Sequence, residues 1–188
     1  MRTETGAEIG RRRGIRALLF AAFLILSGRL WAGGPLVPTG DGTFARWDPV
    51  QPVVISVDRG LLSDVGPIFN AEAVDFVRST LAAWEVDTAS IELAEGEQLP
   101  VDVDGSNYIS FISTPQAAGN PVIFDRDGSI IDDLFGVGSS NNILGFAQPL
   151  AAGPGLNFEG GFAVLNGRSA NLNQSGTFRR VVIHELGH

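Results

Sequence analysis

Residues 175–188 read S-G-T-F-R-R-V-V-I-H-E-L-G-H. Phe178, Val181, Val182 and Leu186 fall at i, i+3, i+4 and i+8, one apolar stripe of helical period. Ser175 or Thr177 stands where a helix cap belongs. The spacing predicts a core-facing helix over 175–188. Upstream of it, runs at 161–165 (GFAVL), 142–147 (NILGFA), 107–112 (NYISFI), 90–94 (SIELA) and 52–57 (PVVISV) read as strands. A further helix is expected from Asn70 to about Val86. Asn70 is its cap, Glu72 and Asp75 lie in its first turn, and Val74, Val77, Leu81 and Trp84 form its apolar stripe. The order is strand, helix, several strands, helix. It predicts an α/β fold: a twisted, mostly parallel sheet with two main helices.

The chain has 188 residues, enough for one domain with a sizeable core. It carries 13 basic and 21 acidic residues, and every basic residue is Arg. Six Arg fall in the first 32 residues; from Gly33 onward 7 Arg face 19 acids. A body that acidic argues against nucleic acid or an anionic membrane surface as partner. Cysteine is absent, which excludes a disulfide framework, a thiol nucleophile and a cysteine metal site. The N-terminus reads R-R-R-G-I-R at 11–16, then A-L-L-F-A-A-F-L-I-L-S at 17–27. A basic stretch before a short apolar run is the pattern of a secretory signal, expected to span 1–32 with a cut after Ala32. The run is shorter than the roughly 20 residues a membrane span needs. The expectation is an exported, extracellular protein with no stable span after cleavage. Its residues 33–52, rich in Gly and Pro, form an extended lead-in to a domain at 53–188.

The chemistry concentrates in the last five residues. His184 and His188, the two histidines of the whole chain, are four apart, so a helix puts them one turn apart on one face. That spacing lets both imidazoles reach one tetrahedral zinc. Glu185, beside the first ligand, is placed to act as general base on a water at the metal. Leu186 points back to the core. A catalytic zinc keeps three protein ligands, and no further His or Cys exists to be the third. An upstream Asp or Glu, or a chain that stops inside its active-site helix, would account for that.

V-V-I-H-E-L-G-H at 181–188 resembles the matrixin-like metallopeptidases of the metzincin clan. N-I-L-G-F-A-Q-P-L-A-A-G-P-G at 142–155 is similar to the edge strand and following loop of that family, and G-G-F-A-V-L-N at 160–166 to its next strand. The helix carrying Trp84 resembles the family's first long helix. The resemblance covers roughly 44–188, and its specific part is the terminal motif. It implies the N-terminal subdomain of a zincin-like catalytic domain, with the active-site helix at the C-terminal end. His184 and His188 would be zinc ligands and Glu185 the base. Leu144, Gly145, Phe146, Ala147 and Gln148 would bind an extended protein or peptide substrate as an added strand. The family signature continues H-x-x-G-x-x-H, which puts the third His six residues past His188, and a later Met-turn lies beneath the zinc. The histidines of a matrixin structural zinc site and the propeptide cysteine of matrixin latency are missing here. Other H-E-x-x-H clans use a downstream Glu as third ligand.

D-R-D-G-S-I-I-D-D at 125–133 places Asp125, Asp127, Asp132 and Asp133 around a glycine turn. Calcium takes six to eight oxygens, and such a turn supplies several. An EF-hand register fails, because Ile123 and Leu134 would fall at its first and last positions. The alternative is a solvated acidic turn. Glu159 is a further oxygen donor nearby in sequence. Asn173-Gln174-Ser175 is a glycosylation triplet that reads equally as a helix cap. Trp47 reads as packing, and Arg179 and Arg180 as a solvated helix face. Two functions follow from this reading. One is a secreted zinc endopeptidase present as an incomplete fragment. The other is a non-catalytic exported binding module with a degenerate zincin-like fold.

Overall fold

A computed structural model describes residues 45–64, 70–84, 91–151 and 157–188. The signal at 1–32, most of the lead-in and the Gly-Pro-Gly loop at 153–155 lie outside the described residues. Strand β1 (Val53–Ile55) is followed by helix α1 (Asn70–Leu81), a 3₁₀ turn (Ala82–Trp84) and strand β2 (Leu93–Glu95). Helix α2 (Tyr108–Ile112), strand β3 (Val122–Asp125) and helix α3 (Ser129–Phe135) come next. Strands β4 (Gly145–Ala151) and β5 (Phe158–Asn166) lead into helix α4 (Ser175–Leu186).

β1 and β2 pair in parallel, from Val53 with Leu93 to Ile55 with Glu95. β3 pairs in parallel with β5, which pairs antiparallel with β4 on its other side. The two ladders meet where the chain leaves β1. Val57 bridges Val122 in parallel, and Asp58 N–H donates to Val122 O at 2.9 Å. The strands thus follow one another as β2, β1, β3, β5, β4, with β4 alone reversed. The protein is α/β, and its sheets are small and mixed.

Alternation along the strands feeds a core on each face. Val122 and Phe124 of β3, with Ala163 and Leu165 of β5, join Val74, Val77 and Leu81 of α1 and Phe178 and Val182 of α4. Ile123, Phe162 and Val164 point the other way, to Leu99, Val103, Tyr108, Ile130 and Ile131. The main helices α1 and α4 lie on one face, while α2 and α3 cover the other. Among the described residues no helix is long and apolar enough to cross a membrane.

Four expectations need correction. The strand expected at 107–112 is helix α2. Asp104 Oδ1 accepts from Ser106 N–H at 2.8 Å, and Asp104 O accepts from Tyr108 N–H at 3.0 Å. This turn starts a helix locally and overrides the β-propensity of Tyr, Ile and Phe. The strand expected at 142–147 begins at Gly145, because Asn142 and Ile143 N–H both donate back to Ser139 O, at 3.0 and 3.1 Å, and close the turn before it. That strand runs through Pro149, which an edge strand tolerates. β3 and α3 occupy a stretch where the sequence pattern shows no strand or helix, only the glycine turn at 125–133. V-I-F-D is buried at every position, the mark of a central parallel strand rather than of alternation. Finally, helix α4 is preceded by Gln174, with no side-chain cap bond, in place of a Ser175 or Thr177 cap. The Asn70 side chain donates to Gly60 O, tying the start of α1 to the chain after β1.

Candidate metal centre and cleft

α4 packs on the sheet through Phe178 and Val182 and carries the H-E-L-G-H run at its end. Its regular turns stop at Leu186. Gly187 N–H donates to His184 O at 3.1 Å and His188 N–H to Glu185 O at 3.2 Å, a tightened last turn. His184 and His188 come together as expected. Their Nε2 atoms lie 3.1 Å apart and their rings stand edge to face, with centroids 4.7 Å apart. Two nitrogens sharing one tetrahedral zinc at roughly 2.0–2.1 Å stand about 3.3 Å apart, so the pair fits as two ligands with almost no movement. Burial, then the charge of His184, lowers the His188 pKa, which favours the neutral ring that a metal takes.

Glu185 behaves differently from both histidines. It is 6% exposed, and its Oε2 finds no hydrogen-bond partner among the described residues. Burial alone pushes its carboxyl up to about 7. It lines a cleft of about 440 Å³, mouth included, together with Leu186 and His188. Ala147, Gln148 and Pro149 of β4 form one wall, and Trp47 lies across it. A buried, unpaired carboxylate poised near neutrality in a cleft that His188 also lines has the protonation behaviour a general base needs.

Of the five residues expected to form the substrate strand, the structure puts four in β4. Among the described residues β4 is the edge of its ladder and pairs with β5 alone. Ala147 and Gln148 reach the cleft. Phe146 turns to the opposite face, in edge contacts with Phe162 and Phe135 at 5.6 and 4.9 Å. Gly145 lies under Val181 and the β5 backbone, and Leu144 precedes the strand, its carbonyl accepting from Asn166 N–H at 2.9 Å.

The four acids at 125–133 have separate partners. Asp125 is buried and accepts from Ile130 and Ile131 N–H at 3.1 and 2.9 Å, two donors that the first turn of α3 leaves open. Burial raises its pKa against those bonds. Asp127 bonds Ser129, which holds its pKa low. Asp132 accepts from Ser140 N–H at 2.8 Å, which also lowers its pKa. Asp133 takes the Tyr108 hydroxyl, whose pKa burial and this bond push up to about 12. Asp125 and Asp127 border a small cavity with Asp102 and Asp104, while Asp132 and Asp133 are not among its lining residues. Among the described residues no three His, Asp or Glu are arranged to hold a metal. Asp125 therefore acts first as a cap. Asp125→Ala is expected to cost about 2 kcal/mol in urea unfolding, with or without calcium.

Trp47 and Trp84 pack against the core as expected. Each also has a contact that sequence reasoning misses. Trp47, its ring 5.5 Å from that of Phe158, borders the cleft. Trp84 meets the helix end at Gly187. Only contacts between distant segments reveal these. Comparison with protein-family models, curated proteins and solved structures finds no match.

Proposed function

We propose that the chain is the N-terminal part of an exported zinc endopeptidase. One observation carries the reading: two imidazole nitrogens 3.1 Å apart at the end of the helix that also carries a buried carboxylate without a partner among the described residues. His184 and His188 would hold the metal, with a third ligand from the motif's continuation. Zinc there supplies Lewis acidity to a water nucleophile and to the scissile carbonyl. Glu185 takes the water's proton as the water attacks, then returns it to the leaving amine. Its burial keeps competing solvent away and sets its proton affinity near neutral pH. The free edge of β4 would hold an extended peptide by strand addition, with Ala147 and Gln148 nearest the site.

The resemblance of residues 142–155, 160–166 and 181–188 to matrixin-like peptidases supports this reading, as does the place of β4 at the edge of its ladder, bordering the cleft. The test is cleavage of an unfolded protein by a chain extended through the third ligand. Hydrolysis that chelation abolishes and zinc restores is the expected result. Hydrolysis indifferent to chelation overturns the proposal. The 188-residue chain itself, with two histidines, is expected to bind zinc weakly and to turn over little.

A further inference from the structure

His188 lies beyond the last regular turn of α4, where helices fray unless something packs on them. Its ring nevertheless stands 3.1 Å from that of His184, nitrogen to nitrogen. The residue between α4 and His188 is Gly187, with φ −80° and ψ −12°, a conformation open to any residue. Space, rather than backbone freedom, excludes a side chain there. A Cβ on Gly187 would stand 2.9 Å from Cη2 and 3.0 Å from Cζ2 of Trp84.

Trp84 arrives from the 3₁₀ turn that closes α1. Its Nε1 is buried without an acceptor among the described residues, and the half-buried ring packs against the core that α1 and α4 share. α1 is itself anchored to the start of α4, where Phe76 meets Phe178 edge to face at 5.8 Å. The Arg78–Glu95 ion pair, at 2.8 Å, ties α1 to β2. α1 thus meets α4 near its start, and the turn after α1 meets the chain just past its end, where the indole lies beside Gly187.

We propose that Trp84 is a positioning residue for the metal centre: its ring clamps Gly187 and so holds His188 in reach of a metal shared with His184. The proposal rests on the zinc reading given above for the use of the pair, but not for the clamp. Without the clamp the tightened turn has only its two backbone bonds to hold it. His188 then samples many positions, and the metal must order it on binding.

The test is a double-mutant cycle on the 188-residue chain, read as zinc affinity by titration. Gly187→Ala drives a methyl into the indole and is expected to weaken zinc by about tenfold or more, as losses of supporting contacts around metal ligands do. Phe lacks both indole atoms that the methyl would meet. Trp84→Phe alone is expected to weaken zinc less than Gly187→Ala does, and Gly187→Ala/Trp84→Phe should bind no worse than Trp84→Phe. Such rescue supports the clamp, because a merely structural role would let the two losses multiply. Multiplying losses overturn it.

A second readout needs no metal. In EDTA, the His188 amide should exchange faster in Trp84→Leu while the amides of Val164 and Leu165 in β5 keep their rates. An unchanged His188 rate overturns the clamp. If the parent chain binds no zinc at all, the zinc reading fails, and this exchange result alone decides the clamp.

Discussion

Glu185→Gln is expected to act in opposite directions on activity and on stability. In the extended, zinc-loaded chain, hydrolysis should fall by about 10³-fold, the range in which a positioned proton acceptor works. Zinc affinity should change little, because both imidazoles remain. In the metal-free chain the same substitution should stabilise the fold at pH 8. The Glu185 carboxyl is raised from 4.5 to about 7 by burial, so the folded state binds its proton more tightly than the unfolded state. The stability this provides is fully present below 4.5 and is lost as pH rises through about 7. Glutamine has no charge to bury. The variant should gain about 2 kcal/mol at pH 8, roughly 5 °C in Tm, and gain nothing at pH 4. Thermal melts in EDTA at the two pH values check this. A variant that melts below the parent at pH 8 would show that Glu185 has a partner in solution.

Asp58→Ala is expected to remove a large share of the stability of the fold. Asp58 is fully buried, and its carboxylate accepts from Gly60, Val103 and Phe124 N–H at 2.9, 3.1 and 3.0 Å. Its carbonyl takes the Gln98 side chain at 3.0 Å. One side chain therefore joins the exit of β1 to β3 and to the segment before α2. Burial raises its pKa and the three amide bonds oppose that. Alanine leaves three buried donors without an acceptor, at about 4 kcal/mol in total, set against 5–15 kcal/mol for a typical domain. Asp64→Ala is the control. Its ion pair with Arg126 spans 3.5 Å between exposed side chains and should cost under about 0.5 kcal/mol. Urea unfolding separates the two. Equal midpoints would refute the role given to Asp58.

Legibility in the sequence followed the range of the interactions. The two long helices were readable because their apolar stripes repeat along the helix, β1 because its β-branched run stands out, and β5 because a short apolar run follows two glycines. The histidine pair was readable because a helix fixes i and i+4 by geometry alone. What the chain concealed depends on partners far away. N-Y-I-S-F-I looks like a strand until Asp104, three and four residues before it, closes the turn that makes it a helix. V-I-F-D has no alternation because both its faces are covered. Asp125 looks like a cation ligand in a run of acids, yet its oxygens are engaged by α3. Asp58 is one aspartate among many until its three amides, two of them more than forty residues away, are in place. Trp47 and Trp84 are ordinary aromatic residues until the segments they touch are known.

The central claim is that His184 and His188 hold one zinc between them. The chain has only these two histidines, so long-range ¹H–¹⁵N spectra of the imidazoles contain four ring nitrogens. Zinc added to the 188-residue chain in excess should move one nitrogen of each ring to the metal-bound position, both with the same dependence on zinc. His188→Ala should then weaken the response of the remaining ring. Two rings that respond at different zinc concentrations, or rings that do not respond at all, would contradict the account.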